Sequence, residues 1–257
     1  MKKTYQTQFA GRDLIVEIGE LAQFANGSCL IRYGDTVILS TATASVTPRE
    51  GIDFFPLSVD YEEKMYSVGK IPGGFIRREG RPSEKAVLTS RVIDRSIRPL
   101  FPKDLRNDVV VNNLVLSVDQ DHSPEILAMV GTSIAISISD IPWNGPIGGM
   151  LIGLLDGKTV FNPTEAQRTE SAMHITLAGT KKKIAMIEAG ANEVPDAVVL
   201  GAIIQGHGLI RELCDFIDGI RADIGKPKFA YEAKDVPADL FDQVKSFGWD
   251  KMRAAVL

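Results

Sequence analysis

The chain has 257 residues, 44% of them hydrophobic and 24% charged, with 29 Lys/Arg against 33 Asp/Glu and a formal net charge of −4. That is long enough for one large domain or two small ones with a substantial core, and the composition is that of a globular chain, not of a disordered or fibrous one. The acidic balance excludes a generally basic nucleic-acid binder, so any site for a polyanion must be local. Cys29 and Cys214 stand far apart in apolar surroundings and read as buried free thiols of an intracellular protein. No Cys/His cluster suggests zinc. A polar N-terminus and the lack of an apolar run near the ~18 residues of a membrane span lead to the expectation of a cytoplasmic chain without membrane contact.

Residues 4–45 read as four strands. Residues 5–9 alternate, Gly11-Arg12 turns, residues 14–18 follow, and the β-rich runs 28–33 and 36–45 are split by the hairpin signal Gly34-Asp35. A polar loop precedes a fifth strand over 54–61. The stretch 71–102 then reads IPGGFIRREGRPSEKAVLTSRVIDRSIRPLFP. Its glycine-rich first part carries Phe75, Ile76, Arg77, Arg78 and Arg81. Its second part predicts a helix: Pro82 and Ser83 suit the first turn and cap, and Glu84 suits the positive end of the dipole. At about 100° per residue Ala86, Ile93, Ile97 and Leu100 share an apolar face. Arg91, Arg95 and Arg98 fall on the opposite face, and Pro99 and Pro102 end the helix.

Two readings of this stretch compete. Charge runs are commonly solvated surface. Yet between residues 64 and 106 there are eleven Lys/Arg and four Asp/Glu, a net of +7, which leaves −11 on the rest of the chain. A basic island on an acidic protein is a local anion site, and guanidinium groups interleaved with an aromatic ring suit phosphate and base of a single strand.

Farther on, residues 109–118 predict a strand, and His122-Ser123-Pro124-Glu125 opens a segment, 126–138, that is apolar nearly all round and so reads as a central buried helix. A hairpin is expected over 147–161 around Asp156-Gly157, two strands over 173–177 and 184–187, and a long helix over 194–224, broken near Gly206-His207-Gly208. Residues 226–234 read as a linker. A last amphipathic helix starts at Pro237 and is still in helical pattern at Leu257, the expectation for a piece of a longer protein. His122 suits a turn or cap and His174 a structural strand position. A metal site built from Asp119, Asp121 and His122 is the weaker reading.

The motifs DFFPLSVDY (53–61), IPGGFIRREGRPSE (71–84) and RVIDRSIRPLFP (91–102), with WNGPIG (143–148) and LAGT (177–180), together resemble the bacterial polynucleotide phosphorylases over nearly the whole chain. The resemblance implies an α+β ribonuclease PH-like core, of the ribosomal protein S5 domain 2-like kind with mixed sheets, over residues 1–228. A linker and the first helix of an all-α domain would occupy 229–257. It implies a trimeric ring whose channel admits single-stranded RNA, shortened from its 3′ end by inorganic phosphate with Mg²⁺ to release nucleoside diphosphates, and leads to the expectation of a larger RNA-degradation complex as a partner. Phe75, Arg77 and Arg78 match the family's Phe-Phe-Arg-Arg channel loop, from which Ile76 departs; Arg81, Arg91, Arg95 and Arg98 join them as RNA-binding residues. The family's catalytic set belongs to a second core, and this copy departs from it: His174 and Thr176 stand where an aspartate and a lysine are expected, and the loop at 119–123 is not a serine cluster. No catalytic residue and no metal ligand is therefore expected here. The alternatives are a stand-alone, non-catalytic ring subunit of exosome type and an independent ribonuclease PH-like enzyme.

Overall fold

Alternating apolar residues build the first four strands in the computed structural model, which describes residues 2–231 and 236–256. They are β1 (Lys3–Phe9), β2 (Arg12–Ile18), β3 (Gly27–Tyr33) and β4 (Thr36–Ala44), an antiparallel series. Leu14, Val16, Cys29, Ile31 and Ile38 are buried along one side of it, as a period of two requires. β5 (Leu57–Glu63) and β6 (Val109–Ser117) complete the sheet in the order β1-β2-β3-β4-β6-β5, with β5 parallel to β6. β5 begins three residues later than residue 54. Pro56 has no N–H to give a ladder; its carbonyl accepts from Val109 N at 2.9 Å and closes the strand end.

The second sheet is antiparallel, ordered β10-β9-β7-β8 from β7 (Gly148–Leu155), β8 (Lys158–Phe161), β9 (Met173–Gly179) and β10 (Ile184–Ala191). Two helices precede it in the chain, α1 (Glu84–Ile97) and α2 (Pro124–Ile138). α2 is buried from residue 126 to 138 and touches β3, β4 and β6 of the first sheet and β7 of the second. That is the place for a helix without a polar face. Gly131 permits its approach: a Cβ there would lie 2.3 Å from Ser40 Oγ.

A short helix, α3 (Glu165–Glu170), was not anticipated from the sequence. Six residues are too few for a periodicity, although Thr164 and Gln167 form a reciprocal capping box at its start. α4 (Asp196–Ile224) runs unbroken through 206–208, where a break was expected. Gly206 instead lets the helix close on the sheet, since a Cβ there would sit 2.7 Å from Ile152 Cδ1. The sequence reading of no membrane-length apolar run also needs correction: α4 is long and apolar enough to cross a membrane. Here its apolar side (Ala202, Ile210, Leu213, Ile217) is buried, and the helix packs on β7 and β9 as a core element.

The expected linker is not a free tether in its described part. Lys226 N donates to Ile138 O, Phe229 N to Asp140 O, and Tyr231 hydroxyl to Asp104. Lys228 Nζ donates to the carbonyls of Ile136, Ser137 and Ser139 at the end of α2, at 2.6–3.1 Å, satisfying orphan acceptors of a helix C-terminus. Residues 232–234 of that linker lie outside the described residues, as does Leu257. α5 (Ala238–Val256) has no buried residue. Cys29 and Cys214 are free and buried, and burial pushes both thiols up to about 12.

Candidate nucleic-acid interface and the adjoining cleft

α1 is the frame. Ser83 caps it, its hydroxyl accepting from Ala86 N at 3.1 Å, with Glu84 in the first turn. Ala86, Ile93 and Ile97 are buried, and the helix packs against β5 and α2. At its end a 3-10 turn over Arg98–Leu100 takes over, and Trp143 Nε1 donates to Ile97 O at 3.1 Å. Proline at the second position of that turn removes the N–H needed for another α-helical turn.

The loop before α1 presents the aromatic-cationic set. Gly74 O accepts from Arg77 N at 3.0 Å, and Arg77 adopts a left-handed φ of 54°, a conformation uncommon for a side-chain-bearing residue. This turn pushes Phe75 wholly into solvent, at 103% relative exposure, with Ile76 at 72%. Arg77, Arg78 and Arg81 are exposed, and among the described residues none of their side chains has an ion-pair or hydrogen-bond partner. The opposite end of the loop is tied down: Glu79 Oε1 accepts from Met65 N at 2.9 Å.

The three helix arginines part company. Arg91 and Arg95 are exposed, unpaired among the described residues, and border a cleft of about 880 Å³. Arg98 is engaged by the fold. Its guanidinium grips both oxygens of Asp94 at 2.7 and 2.9 Å, donates to Phe55 O and Leu57 O, and lies over the Phe55 ring. One turn of helix places Arg98 over the start of β5 and leaves the other two facing open space.

The cleft lies between α1, the start of α2, and a floor of Leu151, Thr176 and Glu188, with Arg168 at one wall. Sequence reasoning missed Lys85, Glu125, Arg168 and Glu188 here, since nothing local brings them together. Lys85 bridges Glu125 at 2.6 Å and Glu63 at 3.7 Å. Burial pulls its ammonium down, but the two carboxylates outweigh it and hold it above the ordinary lysine value. Asp119 accepts from Asp121 N at 3.0 Å and pairs with the His122 ring. Burial raises its carboxyl, yet these hydrogen bonds prevail and keep it below the usual aspartate range.

These residues do not fit a phosphate-and-metal centre. The first turn of α2 holds an acid, Glu125, where an anion would need neutral or positive donors. Among the described residues no three His, Cys, Asp or Glu side chains gather as metal ligands. His174 is exposed on β9. His207 is buried in α4, its Nε2 2.9 Å from Thr180 O.

The chain matches two models of one family: "3' exoribonuclease family, domain 1" over residues 10–142 and "domain 2" over 145–208. It is 68% identical over 257 residues to the polyribonucleotide nucleotidyltransferase of Ruminiclostridium cellulolyticum, and 57% identical over 254 residues to that of Clostridioides difficile. These alignments take in 100% and 99% of the chain, but only 37% and 36% of the relatives. The fold is similar to the crystal structure of rice (Oryza sativa) Rrp46, with a TM-score of 0.64 at 15% identity, over 85% of this chain and 93% of that one.

Proposed function

The chain belongs to the 3′ exoribonuclease family, and from that premise we propose that it is the RNA-guiding part of a polynucleotide phosphorylase. The whole protein would shorten single-stranded RNA from its 3′ end. A phosphate oxygen attacks the terminal phosphodiester, the 3′ oxygen of the next nucleotide leaves and takes a proton, and a nucleoside diphosphate is released; the reverse reaction extends the strand. In this reading Mg²⁺, phosphate and the catalytic acid are held by residues outside this chain. The whole protein works as a cytoplasmic homotrimer, within a complex for mRNA degradation. The relatives bearing the name polyribonucleotide nucleotidyltransferase support the reading.

One observation carries the assignment to RNA: the side chains of Arg77, Arg78, Arg81, Arg91 and Arg95 are exposed and unpaired among the described residues, and the loop that carries the first three also carries a fully exposed aromatic ring. Arginines left without a carboxylate can neutralise phosphates and so release the cations condensed on the polyanion, which makes binding salt-dependent. If all five meet phosphates, log affinity for single-stranded RNA falls with log salt at a slope near −3.5, on roughly 0.7 per contact. Alanine at Arg77 and Arg78 together flattens the slope by about 1.4 on the same rule. The chain alone, given phosphate and Mg²⁺, releases no nucleoside diphosphate. A salt-independent affinity would refute the RNA assignment, and phosphorolysis by the chain alone would bring the chemistry into it.

A further inference from the structure

We propose that Glu79 is a positioning residue for RNA capture, its carboxylate fixing the arginine loop to the turn that follows β5. The inference rests on the reading of that loop as an RNA grip and adds to it the group that sets its shape. Its sign is unexpected, because an acid next to two RNA-binding arginines should on charge alone repel the ligand.

The geometry explains why an acid stands there. The 3-10 turn Met65–Val68 begins at Lys64, whose side chain makes no capping hydrogen bond. The first N–H of such a turn has no partner within it. Glu79, fourteen residues away, supplies the acceptor to Met65 N at 2.9 Å. Among the described residues this is the one hydrogen bond that joins 71–82 to another part of the chain. The only other bond within that stretch is the turn closed by Arg77 N on Gly74 O. Glu79 also faces Lys64, whose ammonium is paired with Glu62 and further stabilised by the Glu79 charge. The loop therefore has a formed tip and one side-chain tether, and the tether is adjacent to Arg78. Without it the ordering of the loop must be supplied at the moment of binding, which lowers affinity.

The test compares Glu79→Ala, Glu79→Gln and R77A/R78A in the full chain, with a fluorescent oligoadenylate of about a dozen nucleotides as probe. Amide exchange at Met65 reads the tether directly. Glu79→Ala is expected to bind about fivefold more weakly and to exchange Met65 faster, on the usual net worth of one intramolecular hydrogen bond. Glu79→Gln keeps an acceptor oxygen and stays within about twofold of the parent, although it has lost the same charge as the alanine variant. Equal or tighter binding by Glu79→Ala would overturn the proposal, because charge removal alone predicts that result. So would Glu79→Gln binding as weakly as alanine, or Met65 exchange unchanged in Glu79→Ala. If R77A/R78A binds like the parent, the RNA reading of the loop falls and takes this proposal with it. If R77A/R78A weakens binding and Glu79→Ala does not, only the tether is wrong.

Discussion

The loop before α1 and the first turn of α2 are both rich in charge, and the chain finishes them differently. In the loop Arg77, Arg78 and Arg81 point into solvent with no partner among the described residues. At α2 the nearby charges are largely paired within the fold: Glu125 holds Lys85 through one of its oxygens, and Asp119 holds His122 and the Asp121 N–H. An open set of cations retains its full attraction for an outside polyanion. A set that is largely paired internally has less net field to offer a phosphate. A single helix shows the same divergence, with Arg91 and Arg95 unpaired among the described residues and Arg98 bound to Asp94 and to the carbonyls of Phe55 and Leu57.

The comparison can be broken most severely at what both regions share. Ile93 is fully buried in α1 between them. Ile93→Ala is expected to lower unfolding stability by about 2–5 kcal/mol, read by urea denaturation, and to weaken RNA binding because the helix presenting Arg91 and Arg95 loosens. A loss below about 1 kcal/mol would mean that α1 is not the common frame.

A sharper test separates the arginines by fate. Arg98→Ala should cost about 1–2 kcal/mol of stability through its lost hydrogen bonds and packing, with the salt slope of RNA binding unchanged. The double variant R91A/R95A should do the reverse, leaving the melting temperature nearly unchanged while the slope flattens by about 1.4. Matching effects from the two would erase the distinction.

The smallest effect concerns the closed region. The Asp119 carboxyl is held below its ordinary value in the folded chain, with burial opposed by the Asp121 N–H and His122. A carboxylate of depressed pKa contributes stability above its unfolded pKa and loses it as pH falls through the folded one. Asp119→Asn should therefore flatten the loss of stability below about pH 4, measured as melting temperature against pH. An unchanged acid limb would show that the pair with His122 is energetically idle.

Much of this was legible in order along the chain. Strand alternation gave β1 to β4, the Ser83 cap and the apolar face of α1 followed from spacing, and the all-apolar run at 126–138 had to be a central helix. The misses share a cause. α3 is too short to show a period, Gly206 marks a close approach and not a break, and the span after α4 is held by Lys228 and Tyr231 at partners some 90 and 127 residues away.

Residue type and local spacing determined, without coordinates, that a basic island with Phe75 stands on an acidic chain and that a helix carries part of it. Which of those arginines remain available was decided only by tertiary structure. Availability depends on whether a carboxylate or a free carbonyl comes within about 3 Å, and the chain brings Asp94, Phe55 and Leu57 to Arg98 while, among the described residues, bringing nothing of the kind to the side chains of Arg77, Arg78 or Arg91. The same long-range folding carries Met65 N to Glu79, a contact for which the sequence holds no periodic signal.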